Sequence, residues 1–504
     1  MKQTRCYLGI DIGTTNTKAL CVNEHGAVAE LRREKTPIRS VRGLSYLDLG
    51  ELEQIVDRFL QRTGSKYRLE GVCFTSIGES IIPVRGGKAL ADPLLWYEQA
   101  TNATAQSVYP QIRELVEYGI TGVGNDSTLG LYKLLWMKQQ GNLEHAEFWL
   151  PVSSYMIYRK TGAALWDYSQ AGRSYALDIH ERRWNQKLLA RFNLQNSLGE
   201  IGYMGREVAE DGNGIRYFLG GHDHICGLNF VRELFGRRPF IYDSLGSSAF
   251  TVTLARERKK ELHFRESFMK PNGIIGIGFQ DRQYYLQNSI RYAGKLLQAL
   301  AGIAGVPQSE TPEFYKRMNR SMRDRTPISG RNCLFAVGGD LHADLRGNTF
   351  SLLDIPMDAD AIDLVHGAYV YLCTMTRLIV ERLRGFMPEE PVFFTGGATV
   401  RNRLLMEYKA AILGRSVNML DISELSALGA VFCILQGLGE NEVMERIRAN
   451  TRITTVQPDG KLRSRLLEMS DAMLEQYRQL KEQPGIDVLQ LITSPNLPAG
   501  TGEP

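Results

Sequence analysis

No apolar run in the 504 residues reaches the roughly 18 that a bilayer-crossing helix needs. The best candidate, Ala361 to Val380, carries Asp363, His366 and Arg377 and reads as a buried helix of a globular protein. Met1-Lys2-Gln3-Thr4-Arg5 leads straight into a strand without the apolar stretch of a secretory leader, so a cytoplasmic location is expected. Cysteine is sparse and unpatterned. The seven (Cys6, Cys21, Cys73, Cys226, Cys333, Cys373, Cys433) are odd in number, far apart and never form a CxxC, as expected of reduced buried thiols rather than a disulfide framework. Charge of one sign is also lacking. Sixty Lys+Arg against 56 Asp+Glu leave +4, too little for a nucleic-acid or membrane surface. Neither G-x-x-x-x-G-K-[ST] nor G-x-G-x-x-G occurs, which removes the P-loop kinases and the dinucleotide-binding fingerprint.

What is present is a folded α/β chain with 43% apolar and 23% charged residues, long enough for two large domains and a cleft between them. Tyr7-Leu8-Gly9-Ile10 is a short apolar strand that enters Asp11-Ile12-Gly13-Thr14-Thr15-Asn16-Thr17-Lys18, and a second strand, Ala19 to Val22, returns to a turn at Asn23-Glu24-His25-Gly26. Leu52, Ile55, Val56, Phe59 and Leu60 fall on one face of a helix, with Asp48 as N-cap and Gly64 as stop. Gly71 to Ser76 reads as a buried strand, Leu129 to Arg159 as largely helical, and Ile215 to Leu219 as a strand ending at Gly220-Gly221-His222-Asp223-His224. A polar joint, Gly236-Arg237-Arg238-Pro239, then precedes a restart. Tyr242-Asp243-Ser244-Leu245-Gly246-Ser247-Ser248 followed by Ala249 to Leu254 repeats the opening layout of strand, acid, glycine with hydroxyls, strand. That layout suggests a duplicated fold whose halves each offer one loop to a shared cleft. The expected domains are 1–236, 237–440 and a helical extension with a frayed tail, 441–504.

Glycine loops matter because only a residue without Cβ lets backbone N–H groups close on phosphate oxygens. Residues 11–18 combine one glycine, threonine hydroxyls and an ammonium, which suits a polyphosphate. Asp11 would then need Mg²⁺ between itself and the phosphates; a plain Gly-Thr hairpin is the alternative. Gly246-Ser247-Ser248 is a second donor-rich turn. Gly396-Gly397, between the strand Val392-Phe393-Phe394 and a helix carrying Leu404, Leu405, Tyr408 and Ile412, stands where nucleotides commonly meet backbone. In the knot His222-Asp223-His224, Asp223 suits a general base that takes a proton from an attacking hydroxyl. A two-histidine Zn²⁺ site or a structural turn are the other readings. Glu79 and the cluster Trp96-Tyr97-Glu98 are candidates for polyol binding through carboxylate and indole edges, or a strand-end acid and a core tryptophan. Tyr284, Tyr285, Gln287 and Asn288 are equally open.

In this order the motifs resemble the FGGY carbohydrate kinases, a branch of the actin/hexokinase/Hsp70-like ATPases, over roughly residues 5 to 440. Gly9 to Thr15 is similar to the family's first phosphate loop and Ser244 to Ser248 to its second. Gly396 to Val417 is similar to its adenosine segment, and Gly220 to Asp223 to the stretch with the catalytic aspartate. The Gly-His-Asp form and Leu131-Tyr132-Lys133-Leu134-Leu135-Trp136 look most like L-fuculose and L-rhamnulose kinases. The resemblance implies two actin-like (ribonuclease H-like) α/β domains closing over MgATP and a ketose or polyol. Asp223 would be the base and Asp11 the Mg²⁺ partner. Thr14, Thr15, Asn16, Lys18, Gly246 and Ser247 would hold phosphates, Gly294, Gly396, Gly397 and Asn402 would lie near the nucleotide, and Glu79, Trp96, His222, His224 and Asn288 would line the acceptor site. Gly78 stands where glycerol kinases carry the arginine of an Arg-Glu pair. The segment Ala336 to His342 departs from the family's pattern, with only Arg346-Gly347 recognisable. A small-molecule sugar is the expected partner, with a homodimer compatible. A regulatory homologue that lost its chemistry is disfavoured by the presence of both aspartates, and a chaperone-type clamp by the short chain after Gly439.

Overall fold

The computed structural model describes residues 3–481 except 142, 144, 237, 247–248, 257–272, 291–292, 325–333, 338–349, 354, 356 and 388. Ser247, Cys333, Arg346-Gly347, most of the departing segment after 337 and the tail beyond 481 lie outside the described residues.

The first sheet begins with an antiparallel meander, β1 (Arg5–Ile12), β2 (Asn16–Asn23) and β3 (Val28–Lys35). Parallel strands β4 (Arg68–Ser76) and β6 (Arg216–Phe218) extend it on the other side of β1, and β5 (Glu207–Glu210) closes that edge antiparallel to β6. Its order is therefore β5-β6-β4-β1-β2-β3. The second sheet contains β7 (Phe240–Leu245), β8 (Ala249–Arg256), β9 (Ile274–Ile277), β10 (Gln283–Ile290), β11 (Val392–Gly396), β12 (Val417–Leu420) and β13 (Ile453–Val456). Its order, β13-β12-β11-β7-β8-β10-β9, repeats that of the first strand for strand, with β9 added at the far edge. The pairings agree as well: β7 runs antiparallel to β8 and parallel to β11, as β1 does to β2 and β4. The expected fold class, two actin-like α/β domains, is the one observed.

Helices complete the layers. Helix α1 (Leu49–Gly64) is capped by Asp48, whose side chain accepts from the Glu51 amide, as its spacing predicts. The stretch expected to be largely helical holds two helices, α2 (Gly130–Gly141) and α3 (Val152–Thr161), separated by a strand, Phe148–Pro151. Trp149 and Leu150 there are buried by pairing with Ile82 and Pro83, so tertiary pairing overrides local periodicity. A short helix, α4 (Tyr168–Gly172), follows, and α5 (Asp223–Phe235) leaves β6. In the second half come α6 (Ala361–Arg384), α7 (Arg403–Leu413), α8 (Leu425–Leu438), α9 (Asn441–Asn450) and α10 (Gly460–Lys481). The expected helical extension thus contains a strand, β13, which adds an edge to the second sheet.

The halves exchange helices at their junction. Helix α5 lays Ile225 and Leu228 among Phe240, Tyr242, Phe250 and Val252 of the second sheet, and Phe235 stacks on Phe394 at 3.8 Å between ring centroids. Helix α8 lies on β1 and β4 of the first sheet, so close that a methyl group on Gly9 would sit 2.2 Å from the Ala427 carbonyl oxygen. The two helices also touch each other. A methyl on Gly429 would stand 1.9 Å from the Cys226 carbonyl oxygen, and the Cys226 and Cys433 sulfurs are 3.9 Å apart. This crossed pair is the structural joint between the lobes.

Candidate active site

The parallel strands β1, β4 and β6 end side by side, because the Ile77 amide donates to the Ile12 carbonyl and the Ser76 amide to the Gly221 carbonyl. Asp11 and Asp223 are therefore carried to one edge of the first sheet, outside the carboxyl ends of its strands. The first loop folds back tightly, with the Gly13 amide donating to the Asn16 carbonyl at 3.2 Å. Asp11 is buried, and its Oδ1 has no hydrogen-bond partner among the described residues. Burial raises its pKa to about 7 against the pull of Lys18, and the nearby Asp223 and Glu424 carboxylates add to the rise. Lys18 stands directly across β2 from Asp11, yet its Nζ is 2.8 Å from Glu424 Oε2 and 3.5 Å from Asp11 Oδ2. Thr14 Oγ1 accepts a hydrogen bond from Trp96 Nε1 at 2.9 Å, and the Glu98 carboxylate accepts from the Ser45 amide. The indole and carboxylate expected to bind a polyol are thus engaged within the protein, Trp96 as a brace of the phosphate loop.

Asp223 opens α5, where the exposed helix amides favour a carboxylate. Its Oδ1 accepts from the His224 amide at 2.7 Å and lies 2.9 Å from His222 Nδ1. Burial pushes the Asp223 pKa up, but the two flanking histidines more than reverse it and hold the carboxyl far below its usual value. On His222 burial opposes charge, but the Asp223 carboxylate wins and raises its pKa; on His224 burial wins and lowers it. His224 stacks between His222 (5.6 Å) and Phe250 of the second lobe (4.6 Å). The Zn²⁺ reading placed both rings on one face of an extended segment. That is corrected: His222 precedes the helix and His224 is in it, and no group of three or more metal-ligating side chains occurs among the described residues.

Glu79 follows β4 in a left-handed backbone conformation, φ +56°, unusual for a residue with a side chain. It is buried, and its Oε1 pairs with both Nε and an Nη of Arg173, the residue that ends α4. Gly78 beside it has no room for more: a methyl there would lie 2.8 Å from His222 Cδ2 and 2.9 Å from its Nε2.

In the second lobe the glycines converge. The Gly294 amide donates to the Gly246 carbonyl at 3.0 Å, and Gly396 pairs with Ser244 across β7 and β11. Gly397, at φ +94°, approaches Leu245 so closely that a methyl would be 2.9 Å from its carbonyl oxygen. This bare cradle, which a Cβ would fill, fits polyphosphate, and Asp11 with its free Oδ1 fits a divalent cation held through one or two carboxylates and phosphates. Asn402 caps α7 by accepting from Leu405, and it bonds Tyr369 and Asn319, so its side chain is committed to structure. Asn288, expected at the acceptor site, is in the second sheet. It lies opposite Thr251, in the row of Asp243, on the face away from Phe250, and is fully buried with its Nδ2 unpartnered among the described residues. Phe250 and Tyr285 share the other face, where Phe250 stacks on His224. Arg173, Phe250 and Glu424 carry no local sequence signal and were not anticipated.

A model of the FGGY carbohydrate kinase N-terminal domain matches residues 6–206, and one of the C-terminal domain matches residues 241–436. The chain belongs to the FGGY family of carbohydrate kinases. Its membership makes it an ATP-dependent carbohydrate kinase. Glycerol kinase 1 of Lactiplantibacillus plantarum is 25% identical over 471 residues, covering 88% of this chain and 90% of that relative. Among solved structures, xylulose kinase from Rhodospirillum rubrum superposes with a TM-score of 0.80 at 16% identity, over 95% of this chain and 99% of that one. Gluconate kinase from Lactobacillus acidophilus gives 0.79 at 16%, with the same coverage. These FGGY structures share the two-lobed fold. No helix among the described residues of this FGGY kinase is long and apolar enough to cross a membrane.

Proposed function

We propose that this kinase transfers the γ-phosphoryl group of ATP to a hydroxyl of a small ketose, a pentulose or deoxy-hexulose, with Asp223 as general base. The observation that carries the reading is the setting of Asp223. One carboxylate oxygen is held by the His224 amide and faces His222, at the sheet edge it shares with Asp11. That leaves Oδ2 for the acceptor hydroxyl. Kept ionised by its histidines, Asp223 takes the proton late, as the attacking oxygen bonds phosphorus and its hydroxyl turns acidic. The loop 11–18 and Gly246, Gly294 and Gly397 position the triphosphate. Asp11 would hold Mg²⁺, whose charge, when bound, offsets that of the phosphates. Closure of the lobes keeps water from the phosphoryl group. A polyol acceptor such as glycerol or erythritol is the second reading, favoured by the relatives named glycerol kinases.

The test is a coupled ADP assay over C3 to C6 ketoses and polyols, with Asp223→Asn beside the wild type. The variant is expected to lose at least about 10³-fold in kcat while retaining ADP affinity, since base and bound orientation are both lost to the acceptor alone. Undiminished turnover by Asp223→Asn removes the residue from the mechanism.

A further inference from the structure

Both lobes contribute to the surroundings of Glu79. The hairpin of β9 and β10, at the edge of the second sheet, rests on the first lobe: the Ile275 amide donates to the Gly122 carbonyl at 2.8 Å, and the Arg182 guanidinium lies 5.2 Å from the Tyr284 ring centroid. Within that hairpin Tyr285 lies flat over Gly276, where a methyl group would stand 2.1 Å from the ring. Its hydroxyl reaches the end of α4, 3.8 Å from where a Gly172 methyl would be, and faces Arg173, Glu79 and Asp167. Arg173 in turn grips a single oxygen of Glu79, leaving Oε2 unengaged in a buried, strained turn. The guanidinium that Gly78 has no space to supply thus arrives from the opposite side, out of α4.

We propose that Arg173 is a positioning residue that aims Glu79 at an acceptor hydroxyl, that Tyr285 is a specificity-determining residue contributed by the second lobe, and that together they select an uncharged polyhydroxylated acceptor over a sugar acid. The inference rests on the kinase reading above. Its electrostatic part follows from the charges around Glu79: Arg173 is spent on Glu79 and His222 on Asp223, while Lys133, which also faces Glu79, donates to the Leu95 carbonyl and has its charged form disfavoured by burial, so none of the three is a ready partner for an acceptor carboxylate.

The experiment compares the wild type with Arg173→Lys, Arg173→Gln and Tyr285→Phe. The neutral probe is the ketose or polyol with the highest kcat/KM in the C3 to C6 panel, and D-gluconate is the anionic probe. Arg173→Gln is expected to raise the neutral acceptor's KM about tenfold or more, because Glu79 is left buried and unaimed. Arg173→Lys should recover part of that loss. The isosteric Tyr285→Phe should raise KM about fivefold. ADP affinity, measured by calorimetry, should stay within about twofold in every variant. Parallel loss of acceptor and ADP binding would mean that these residues only support the fold. A wild-type preference for gluconate would overturn the neutral-acceptor assignment. Unchanged acceptor KM in Arg173→Gln and Tyr285→Phe, with Asp223→Asn inactive, overturns this inference alone; a wild type that phosphorylates no neutral compound takes the kinase reading's substrate down with it.

Discussion

Gly78→Ala isolates the acceptor site from the fold. The backbone at Gly78 is not left-handed, so alanine adds no conformational strain there. What it adds is one carbon, 2.8 Å from His222 Cδ2 and 2.9 Å from Nε2. Ordinary carbon contacts begin near 3.5 Å, so the imidazole must retreat by roughly 0.7 Å. Its routes are few: Nδ1 lies 2.9 Å from the Asp223 carboxylate, and the ring stacks on His224, itself packed on Phe250. Any shift is therefore passed to Asp223, the proposed base. Overpacking by one methyl costs about 1–3 kcal/mol, and with the ring tied to Asp223 that corresponds to a fall in acceptor kcat/KM of roughly 10- to 100-fold. The assay is steady-state kinetics with the preferred acceptor, beside ADP calorimetry and thermal unfolding. The expected result is a kinetic loss with ADP affinity unchanged and a melting temperature lowered by only about 2–4 °C. An acceptor kcat/KM within twofold of wild type would show that His222 yields freely, and would refute the coupling between residue 78 and the base.

Two further substitutions probe burial. Lys409 and Asp243 form an ion pair 1% and 0% exposed, so Lys409→Met should cost about 3–5 kcal/mol in urea unfolding by stranding Asp243. Adding Asp243→Asn should restore much of it, and additive losses in the double variant would show that the pair is not coupled. Lys133, wholly buried with Nζ donating to the Leu95 carbonyl, has its pKa lowered by burial from 10.5 to about 7, with Glu79, Asp126, Glu98 and Arg173 facing it. Between those two values the unfolded chain binds more protons than the native one, so Lys133 makes stability rise with pH from about 7 to about 10.5. Lys133→Met should flatten that rise by a few kcal/mol, and a pH–stability curve of unchanged slope would place the charge elsewhere.

The elements legible in the sequence are those whose cause is local. The glycine turns, the Asp48 cap and the strand-end aspartates are fixed by neighbours within a few residues. The Phe148–Pro151 strand was hidden because its pairing partner lies some sixty residues upstream, at Ile81–Arg85. The same holds for the acceptor pocket. Glu79 could be picked out, but Arg173, which fixes its direction, comes from another helix, and Phe250 and Tyr285 come from another sheet. For Asn288 the sequence left the direction open, and only the register with Thr251 sets it on the face away from Phe250.

Register also explains why two halves of equal topology do unequal chemistry. In the first half the acid stands two residues before the glycine, Asp11-Ile12-Gly13; in the second it stands three before, Asp243-Ser244-Leu245-Gly246. Side chains alternate along a strand, so that single extra residue turns the second acid to the opposite face. There Asp243 accepts from Thr251 and Thr395 and is neutralised by Lys409, deep between sheet and helix α7. Ser244 takes the place equivalent to Asp11, offering a hydroxyl where the first half offers a carboxylate. Of the two glycine loops, only the first then carries a carboxylate on that face, and under the proposed function the second meets the triphosphate with glycine backbone. Under the proposed function two facing carboxylates would repel the phosphates they must admit, so the displaced acid of the second half suits two halves of equal topology to an asymmetric phosphate clamp.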